Sequence, residues 1–220
     1  MVRTSTARRL DVAPVAPVNR LEFRGGDPPA PPVRPNAPIA SNAWLATVMF
    51  LGAEAMFFAG LIGAFIVFRI GSSIWPPPFQ PRLPVGITGV NTVVLLASAI
   101  TVHMALRSVR AGAIGRGKRM LAMTAALGGV FLLIQGYEWA RLIHFGLTVS
   151  SSIYGGLFYT LIGFHAFHVA GALAWLIAVF VRANRGYFSP QKYTGVQICA
   201  MYWTFVVALW PILYGLVYLY

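Results

Sequence analysis

Five long apolar runs constrain this chain of 220 residues more than any other feature of its sequence. The runs lie near residues 43–68, 86–106, 120–143, 153–181 and 196–218. A helix needs about 20 apolar residues to cross a bilayer, and each run is long enough. The connectors carry Gly, Pro or charged residues, which end helices or favour turns. The sequence therefore predicts an all-α fold, a polytopic membrane bundle of five transmembrane helices within residues 41–220.

The composition supports lipid as the solvent around most of the chain. Apolar residues make up 58% of the sequence and charged residues 10%. A soluble domain carries about 25% charged residues to cover its surface. Cys199 is the single cysteine, so the sequence excludes an internal disulfide and a cysteine-built metal site. The net charge of +12 is spread over the N-terminal zone and the connectors, and no nucleic-acid partner is expected.

Residues 1–40 form a separate compositional zone that is rich in Pro and Arg. Its eight prolines remove backbone donors and favour extended polyproline conformations. No apolar segment of a signal peptide follows the first basic residues. We therefore expect a mostly disordered cytoplasmic tail, which is either simply solvated or an arm that docks on partner subunits.

The distribution of basic residues predicts the orientation in the membrane. The N-terminal zone and the second and fourth connectors together carry 14 of the 17 Lys and Arg residues. The first and third connectors and the C-terminal end carry the other three. Cytoplasmic loops hold the excess of Lys and Arg in membrane proteins. The N-terminus is therefore expected in the cytoplasm and the C-terminus outside.

Two acidic residues, Glu54 and Glu138, lie inside apolar runs, and no others occur beyond residue 40. A carboxylate in hydrocarbon is costly, so each should be protonated or paired, and each is a functional candidate. By helix rise, Glu54 lies about 17 Å from the inner end of its helix, near mid-depth. Glu138 lies toward the outer end of the third helix, where Arg141 is an i,i+3 candidate for a structural ion pair.

His165 and His168 lie three residues apart in GFHAFHV and therefore share a face of the fourth helix. His165 lies about 18 Å deep, close to the depth of Glu54. The hypothesis is a buried hydrogen bond between Glu54 and His165, which would satisfy both groups. His103 and His144 lie near helix ends at other depths, which disfavours a bis-histidine haem site. No three- or four-ligand metal spacing occurs either, and no cofactor is expected in this chain.

Two unrelated functions remain alternatives at this stage. The first is a proton-coupled transporter that uses Glu54 as its carrier, although the chain has no visible inverted repeat and no Pro near mid-membrane. The second is a b-type cytochrome, which the unmatched depths of the histidines disfavour. The residues alone thus define a helical membrane protein with two buried carboxyl groups and a histidine pair.

Motifs that together touch all five predicted helices add a resemblance. The first, second and last helices contain LGAEAMFFAGLIGAFIVFR, GVNTVVLLASAITVHMA and MYWTFVVALWPILYGLVYLY. The most specific segment is QGYEWARLIHFGLTVSSSIYGGLFYTLIGFHAFHV, with its aromatic helix end, Tyr-Gly and paired histidines. Together these motifs cover nearly all of the chain from about residue 43. They resemble subunit III of the haem-copper respiratory oxidases, the cytochrome c and quinol oxidases, in a short five-helix bacterial form.

The resemblance implies an accessory role in aerobic respiration and no active site of its own. Haem and copper would lie in partner subunits, and the chain would stabilise the catalytic subunit I, hold phospholipids and support proton uptake. It would be a multi-pass protein of the bacterial inner membrane. The implied buried polar network consists of Glu54, Glu138, His165 and His168. The implied lipid-binding residues are Arg69, Arg182 and Trp139.

The last helix departs from the family pattern at two positions. The family typically has Tyr-Trp-His-Phe-Val-Asp there, whereas Thr204 and Val207 replace the His and the Asp in this chain. Any role of that polar pair therefore does not carry over directly. A related family, the subunit-III-like protein that accompanies nitric oxide reductases, is an alternative that the sequence separates poorly.

Overall fold

The computed structural model describes residues 42–75, 77 and 83–219. This part of the chain has five long helices, α1 to α5, and a π-helical turn at Gly215–Leu219. The helices are α1 (Asn42–Ile70), α2 (Val85–Arg110), α3 (Ile114–His144), α4 (Ile153–Asn184) and α5 (Thr194–Tyr214). All five are long and apolar enough to span a membrane, with α5 counted through Leu219. The predicted all-α fold with five spans is confirmed.

Consecutive spans alternate in direction, so their ends fall on two faces of the membrane. We call the face at which α1 begins the N-side and the face at which α1 ends the C-side. The turns from α2 to α3 and from α4 to α5 lie on the N-side, and the other two connections lie on the C-side. Which side is cytoplasmic stays a prediction from the charge distribution, and the predicted tail at residues 1–40 lies outside the described residues.

Both N-side turns depend on a glycine with a left-handed backbone. Gly112 has a φ of 78° and Gly186 a φ of 75°. Residues with a Cβ atom rarely adopt this left-handed backbone conformation. In the first turn, this conformation allows the amide of Ala113 to reach the carbonyl of Ser108 at 2.9 Å. The two pairs of helices are therefore joined by tight turns that hold neighbouring helices together.

Helices α2 to α5 form the core of the bundle, and α5 lies against α2, α4 and α1. Two tryptophans on α5, Trp203 and Trp210, are almost wholly buried. Their indole N–H groups donate to Ser98 (3.0 Å) and Thr92 (2.8 Å), both on α2. Interhelical hydrogen bonds of this kind stabilise packing in a membrane, where apolar side chains gain little from leaving lipid.

Helix α1 lies at the edge of this core, against α4 and α5. It is described in full, and its buried residues are Thr47, Phe58 and Phe65. Its exposed side chains between Ala43 and Phe68 are all apolar, which suits contact with lipid chains. The helix that carries Glu54 is therefore the least enclosed of the five.

Candidate functional site

The carboxyl group of Glu54 faces an imidazole of α4. The Oε2 atom of Glu54 lies 2.9 Å from Nε2 of His168, and both side chains are about one-seventh exposed. The oxygen lies off the axis of a hydrogen on that nitrogen, so the contact is not a linear hydrogen bond. The carboxyl group of α1 is thus held by one group on one neighbouring helix.

The hydrogen bonds of His168 define how many protons this pair holds. Its Nδ1 lies 2.6 Å from the carbonyl oxygen of Phe164, and a carbonyl only accepts, so Nδ1 carries a hydrogen. Two lone pairs do not face each other at 2.9 Å, so either Nε2 or the Glu54 carboxyl group carries a further proton. The pair is either a neutral acid against a neutral imidazole or a carboxylate against an imidazolium. Transfer of this proton from one group to the other interconverts the two states within the contact.

His165, one turn away, behaves as an aromatic core residue. Its side chain is fully buried, and neither ring nitrogen has a hydrogen-bond partner in the described structure. The ring stacks on Trp210 with centroids 4.9 Å apart and an interplanar angle of 24°. Phe58 and Phe131 approach it edge-on. The predicted bond between Glu54 and His165 is wrong, because His168 occupies the side of α4 that faces the carboxyl group.

Glu138 lies in a different environment, deep among α2, α3 and the end of α5. Its carboxyl oxygens lie 3.0 and 2.9 Å from the hydroxyl of Thr88, and Gln135 donates to it at 3.3 Å. Gln135 also donates to the hydroxyl of Tyr218 at 3.3 Å. The Thr88 hydroxyl is 2.9 Å from the carbonyl of Pro84 as well. Three helical segments therefore meet at this carboxyl group.

A hydrogen count explains how Glu138 is accommodated. Thr88 has a single hydroxyl hydrogen, which cannot serve both Pro84 and Glu138. A protonated Glu138 that donates to Thr88, while Thr88 donates to Pro84, satisfies all three groups. The expected ion pair with Arg141 is absent from the described residues, because the carboxyl group turns into the bundle. Arg141 instead lies over the rings of Tyr137 and Phe145.

The four residues of the predicted polar network thus fall into three surroundings. Glu54 and His168 are in contact, whereas His165 packs among aromatic rings and Glu138 belongs to a cluster with Thr88 and Gln135. Phe58 lies between the two histidine rings, at 6.4 and 5.1 Å from them. The functional role of these residues remains a prediction.

The predicted lipid-binding residues do not form one site. Arg69 is in the last turn of α1, on the C-side, and Arg182 is in the last turn of α4, on the N-side. Trp139 lies near the C-side end of α3, where its ring packs edge-on against Tyr159 at 5.7 Å. Arg182 lies over the ring of Tyr187 at 4.8 Å. A single lipid headgroup can contact residues on only one of these faces.

The two departures on α5 have different structural consequences. Val207 is buried in the core, where it packs as an ordinary aliphatic residue. The hydroxyl of Thr204 lies 3.0 Å from Nε2 of His103 on α2. An imidazole therefore still lies beside position 204, although it comes from the neighbouring helix. Spacing within one helix gives no signal for a partner 101 residues away.

The residues that sequence reasoning missed are Thr88 and Tyr218, which touch the Glu138 cluster from distant segments. Gln135 was within reach of sequence reasoning, since it precedes Glu138 by three residues and so shares its face. Among the described residues, no group of three His, Cys, Asp or Glu side chains is arranged to hold a metal ion.

Five helices long and apolar enough to span a membrane define a polytopic helical membrane protein. The family model for cytochrome c oxidase subunit III matches residues 36–220. The match covers every described helix. The chain therefore belongs to the cytochrome c oxidase subunit III family, and the resemblance seen in the sequence is confirmed.

Similar proteins from several bacteria carry the same name. The cytochrome c oxidase subunit 3 of Corynebacterium diphtheriae is 35% identical over 176 residues, covering 78% of this chain and 85% of that one. The Bacillus subtilis protein of that name is 34% identical over 183 residues, covering 81% and 86%. The Synechocystis protein is 33% identical over 173 residues, covering 78% and 73%. The chain thus has the role of an oxidase subunit III, in a membrane complex with other oxidase subunits.

Proposed function

We propose that this chain is the non-catalytic subunit III of a haem-copper oxidase in a bacterial plasma membrane. It packs against the catalytic subunit I, which with other partner subunits carries the haem and copper. It stabilises that subunit, holds phospholipids and supports proton uptake. Its N-terminus lies in the cytoplasm, as the excess of basic residues on the N-side favours.

The contact between Glu54 and His168 is the observation that carries this proposal. The pair shares one proton and joins Glu54 on α1, the least enclosed helix, to His168 on α4, and both side chains are about one-seventh exposed. A proton taken up by the pair gives an imidazolium beside a neutral acid, and its release to a neighbour restores the neutral pair, so a net charge in the hydrocarbon is only transient. This chemistry suits a subunit that delivers protons to a neighbour and performs no redox step.

Two groups of residues favour a role in holding phospholipid. On the N-side, Arg182 and Lys192 both lie over the ring of Tyr187, at 4.8 and 3.8 Å from its centroid. On the C-side, Arg69 ends α1, and Trp139 lies near the end of α3. Arginine and aromatic side chains at helix ends are typical contacts for headgroups at a membrane interface. We expect separate lipids on the two faces.

Removal of the subunit from the purified oxidase tests the accessory role. We expect the haem content to stay nearly intact, because no redox centre resides in this chain. The number of turnovers before inactivation should fall, because the catalytic subunit loses its neighbour and its lipids. Loss of haem along with the subunit would contradict the proposal.

Two matched variants test the proton role within the assembled complex. Glu54→Gln should slow proton uptake, because an amide cannot release the shared proton. Glu138→Gln should leave the rate near that of the wild type, because the Glu138 cluster is closed and structural. Proton uptake by the reconstituted oxidase is measured with a pH-sensitive dye. Equal rates in wild type and Glu54→Gln would exclude a proton role for this pair.

A further inference from the structure

We propose that the face of α2 around His103 is the contact surface for a transmembrane helix of a partner oxidase subunit. The partner helix donates a hydrogen bond to Nδ1 of His103. This inference rests on the proposed accessory function, since it requires a neighbour in the membrane. It assigns a particular face and a particular chemistry to that contact.

The depth of His103 is the first step. It lies seven residues before the end of α2 at Arg110, or about 10 Å from the N-side end at the helical rise. The 26 residues of α2 extend about 39 Å, whereas the hydrocarbon core is about 30 Å thick. His103 therefore lies inside the hydrocarbon region, and its side chain is exposed on the bundle surface. Ionisable side chains at such depth almost always face protein or a polar cavity.

The hydrogen bonds around His103 define which atom lacks a partner. The hydroxyl of Thr204 donates to the carbonyl of Ala200 at 2.7 Å, so its single hydrogen is used there. The same oxygen must then accept from Nε2 of His103, 3.0 Å away. When the imidazole is neutral, as contact with hydrocarbon favours, Nδ1 has a lone pair and no hydrogen. No described residue donates to it, so the missing partner is a hydrogen-bond donor.

The other exposed surfaces show that this polar site is unusual. The exposed side chains of α1 from Ala43 to Phe68 are all apolar, as lipid contact requires. His165 and His168 are enclosed between helices, and His144 is the last residue of α3. Among the four histidines, His103 alone is exposed to the membrane core within a span. The α1 face therefore fits lipid, whereas the His103 face fits protein.

The residues beside His103 suit a helix–helix contact. Leu96 and Ile100 precede it on the same exposed stripe, with 42% and 64% of their surfaces exposed. Arg107 follows it one turn later, near the membrane interface. The stripe thus combines apolar side chains for close packing with one polar residue. A single polar residue in an apolar helix contact defines the register of the two helices.

Photo-crosslinking in native membranes tests which neighbour covers this face. The phenylalanine analogue p-benzoylphenylalanine is placed at Ile100 on α2 and, as a matched control, at Met56 on α1, which is 77% exposed. After irradiation, we expect the Ile100 variant to form an adduct with a second oxidase subunit. The Met56 variant should form adducts with lipid. Lipid adducts alone at Ile100 would overturn the proposal.

Substitutions at the polar pair test the proposed hydrogen bond. His103→Leu should increase the loss of this subunit from the solubilised oxidase about fivefold, as removal of one interhelical hydrogen bond of ~1 kcal/mol predicts. His103→Asn should restore retention, because its amide oxygen can accept from the partner. Thr204→Val should have a smaller effect than His103→Leu. Equal losses of the subunit for His103→Leu and Thr204→Val would show that His103 acts only through its hydrogen bond to Thr204 within the subunit. That result would overturn the proposal.

The same preparations separate this inference from the proposed function. If the wild-type chain copurifies with haem-containing subunits but Ile100 crosslinks only to lipid, the accessory role stands and the assigned face is wrong. If the chain carries no haem-containing partner at all, the proposed function itself fails. Spectra of the tagged complex and the masses of the crosslinked products distinguish the two outcomes.

Discussion

Helix α1 and the core formed by α2 to α5 each contain one buried carboxyl group, and the two groups are held in different ways. Glu138 is 2% exposed and lies against Thr88 and Gln135, with Tyr218 bound to the latter. Glu54 lies on the least buried helix, and its carboxyl group contacts His168. The core group connects several helices, whereas the edge group connects one helix to one neighbour.

This difference indicates that a carboxyl group inside the membrane can be deeply buried without taking part in proton exchange. A carboxyl group with several fixed partners has little freedom to change its protonation, because any change leaves those partners unsatisfied. A carboxyl group that shares a proton with one imidazole can change its protonation state with little disturbance of other residues. This difference supports the proposed roles, in which Glu138 stabilises the fold and Glu54 exchanges protons with the surroundings.

The largest expected effect is on stability at the core. Glu138→Ala leaves Thr88 and Gln135 without their shared partner and opens a cavity, so the free energy of unfolding should fall by about 3 kcal/mol. For Glu138→Gln, the free energy of unfolding should fall by less than ~1 kcal/mol, since the amide can still bond to Thr88. Unfolding in mixed detergent micelles, followed by tryptophan fluorescence, measures both. An unfolding curve for Glu138→Ala that matches the wild-type curve would exclude a structural role for this cluster.

A pair of glycines compares packing in the core and at the edge. A Cβ on Gly128 would lie 2.8 Å from Cζ2 of Trp203, so Gly128→Ala should cost about 1–3 kcal/mol of unfolding free energy. Gly60 on α1 has no atom within 4 Å of such a Cβ, so Gly60→Ala should unfold like the wild type. The same fluorescence assay compares the two. Equal losses would mean that α1 is as tightly packed as the core.

A smaller effect is expected where the edge carboxyl group is changed. Glu54→Gln should alter the free energy of unfolding by less than ~1 kcal/mol, because one interhelical contact is replaced by another. The same assay on His168→Gln should give a similar value, since the two side chains share the contact. A loss for either variant as large as that for Glu138→Ala would contradict the distinction between edge and core.

The smallest effect is expected for His165→Phe. His165→Phe keeps the stacking on Trp210 and removes two unsatisfied nitrogens, so stability should be unchanged or slightly higher. His165→Ala, by contrast, leaves a cavity beside Trp210 and should cost about 2–4 kcal/mol. Thermal unfolding of both variants in detergent checks this. A large loss for His165→Phe would mean that the ring nitrogens have a partner.

The spans were predictable from the sequence because hydropathy reports contact with lipid directly. The predicted run at 153–181 agrees with α4 at its start, and α4 continues to Asn184. The third helix begins at Ile114, six residues before its predicted start at 120. Its first turns carry Arg116, Lys118 and Arg119, which lower the hydropathy without ending the helix. Basic residues at the interface therefore made the predicted helices too short.

The partners inside the bundle were less predictable, because they depend on how helices are rotated about their axes. His165 and His168 share a face by spacing. The depth estimate favoured His165 as the partner of Glu54, whereas His168 is the residue in contact with it. The partner of Glu138, Thr88, lies 50 residues away and has no local signal. The pairing of His103 with Thr204 is equally distant in the chain. Periodicity identifies which residues are buried, whereas packing decides which of them meet.

The tryptophan contacts of α5 have a consequence for the order of assembly. Trp203 and Trp210 join α5 to Ser98 and Thr92 on α2, and α5 also lies against α4 and α1. The ribosome synthesises α5 after the other four helices, so these contacts form late in biosynthesis. Until then α2 exposes hydroxyl groups to the bilayer or to an insertase. The nascent chain should therefore stay bound to the insertion machinery until its fifth helix has left the ribosome.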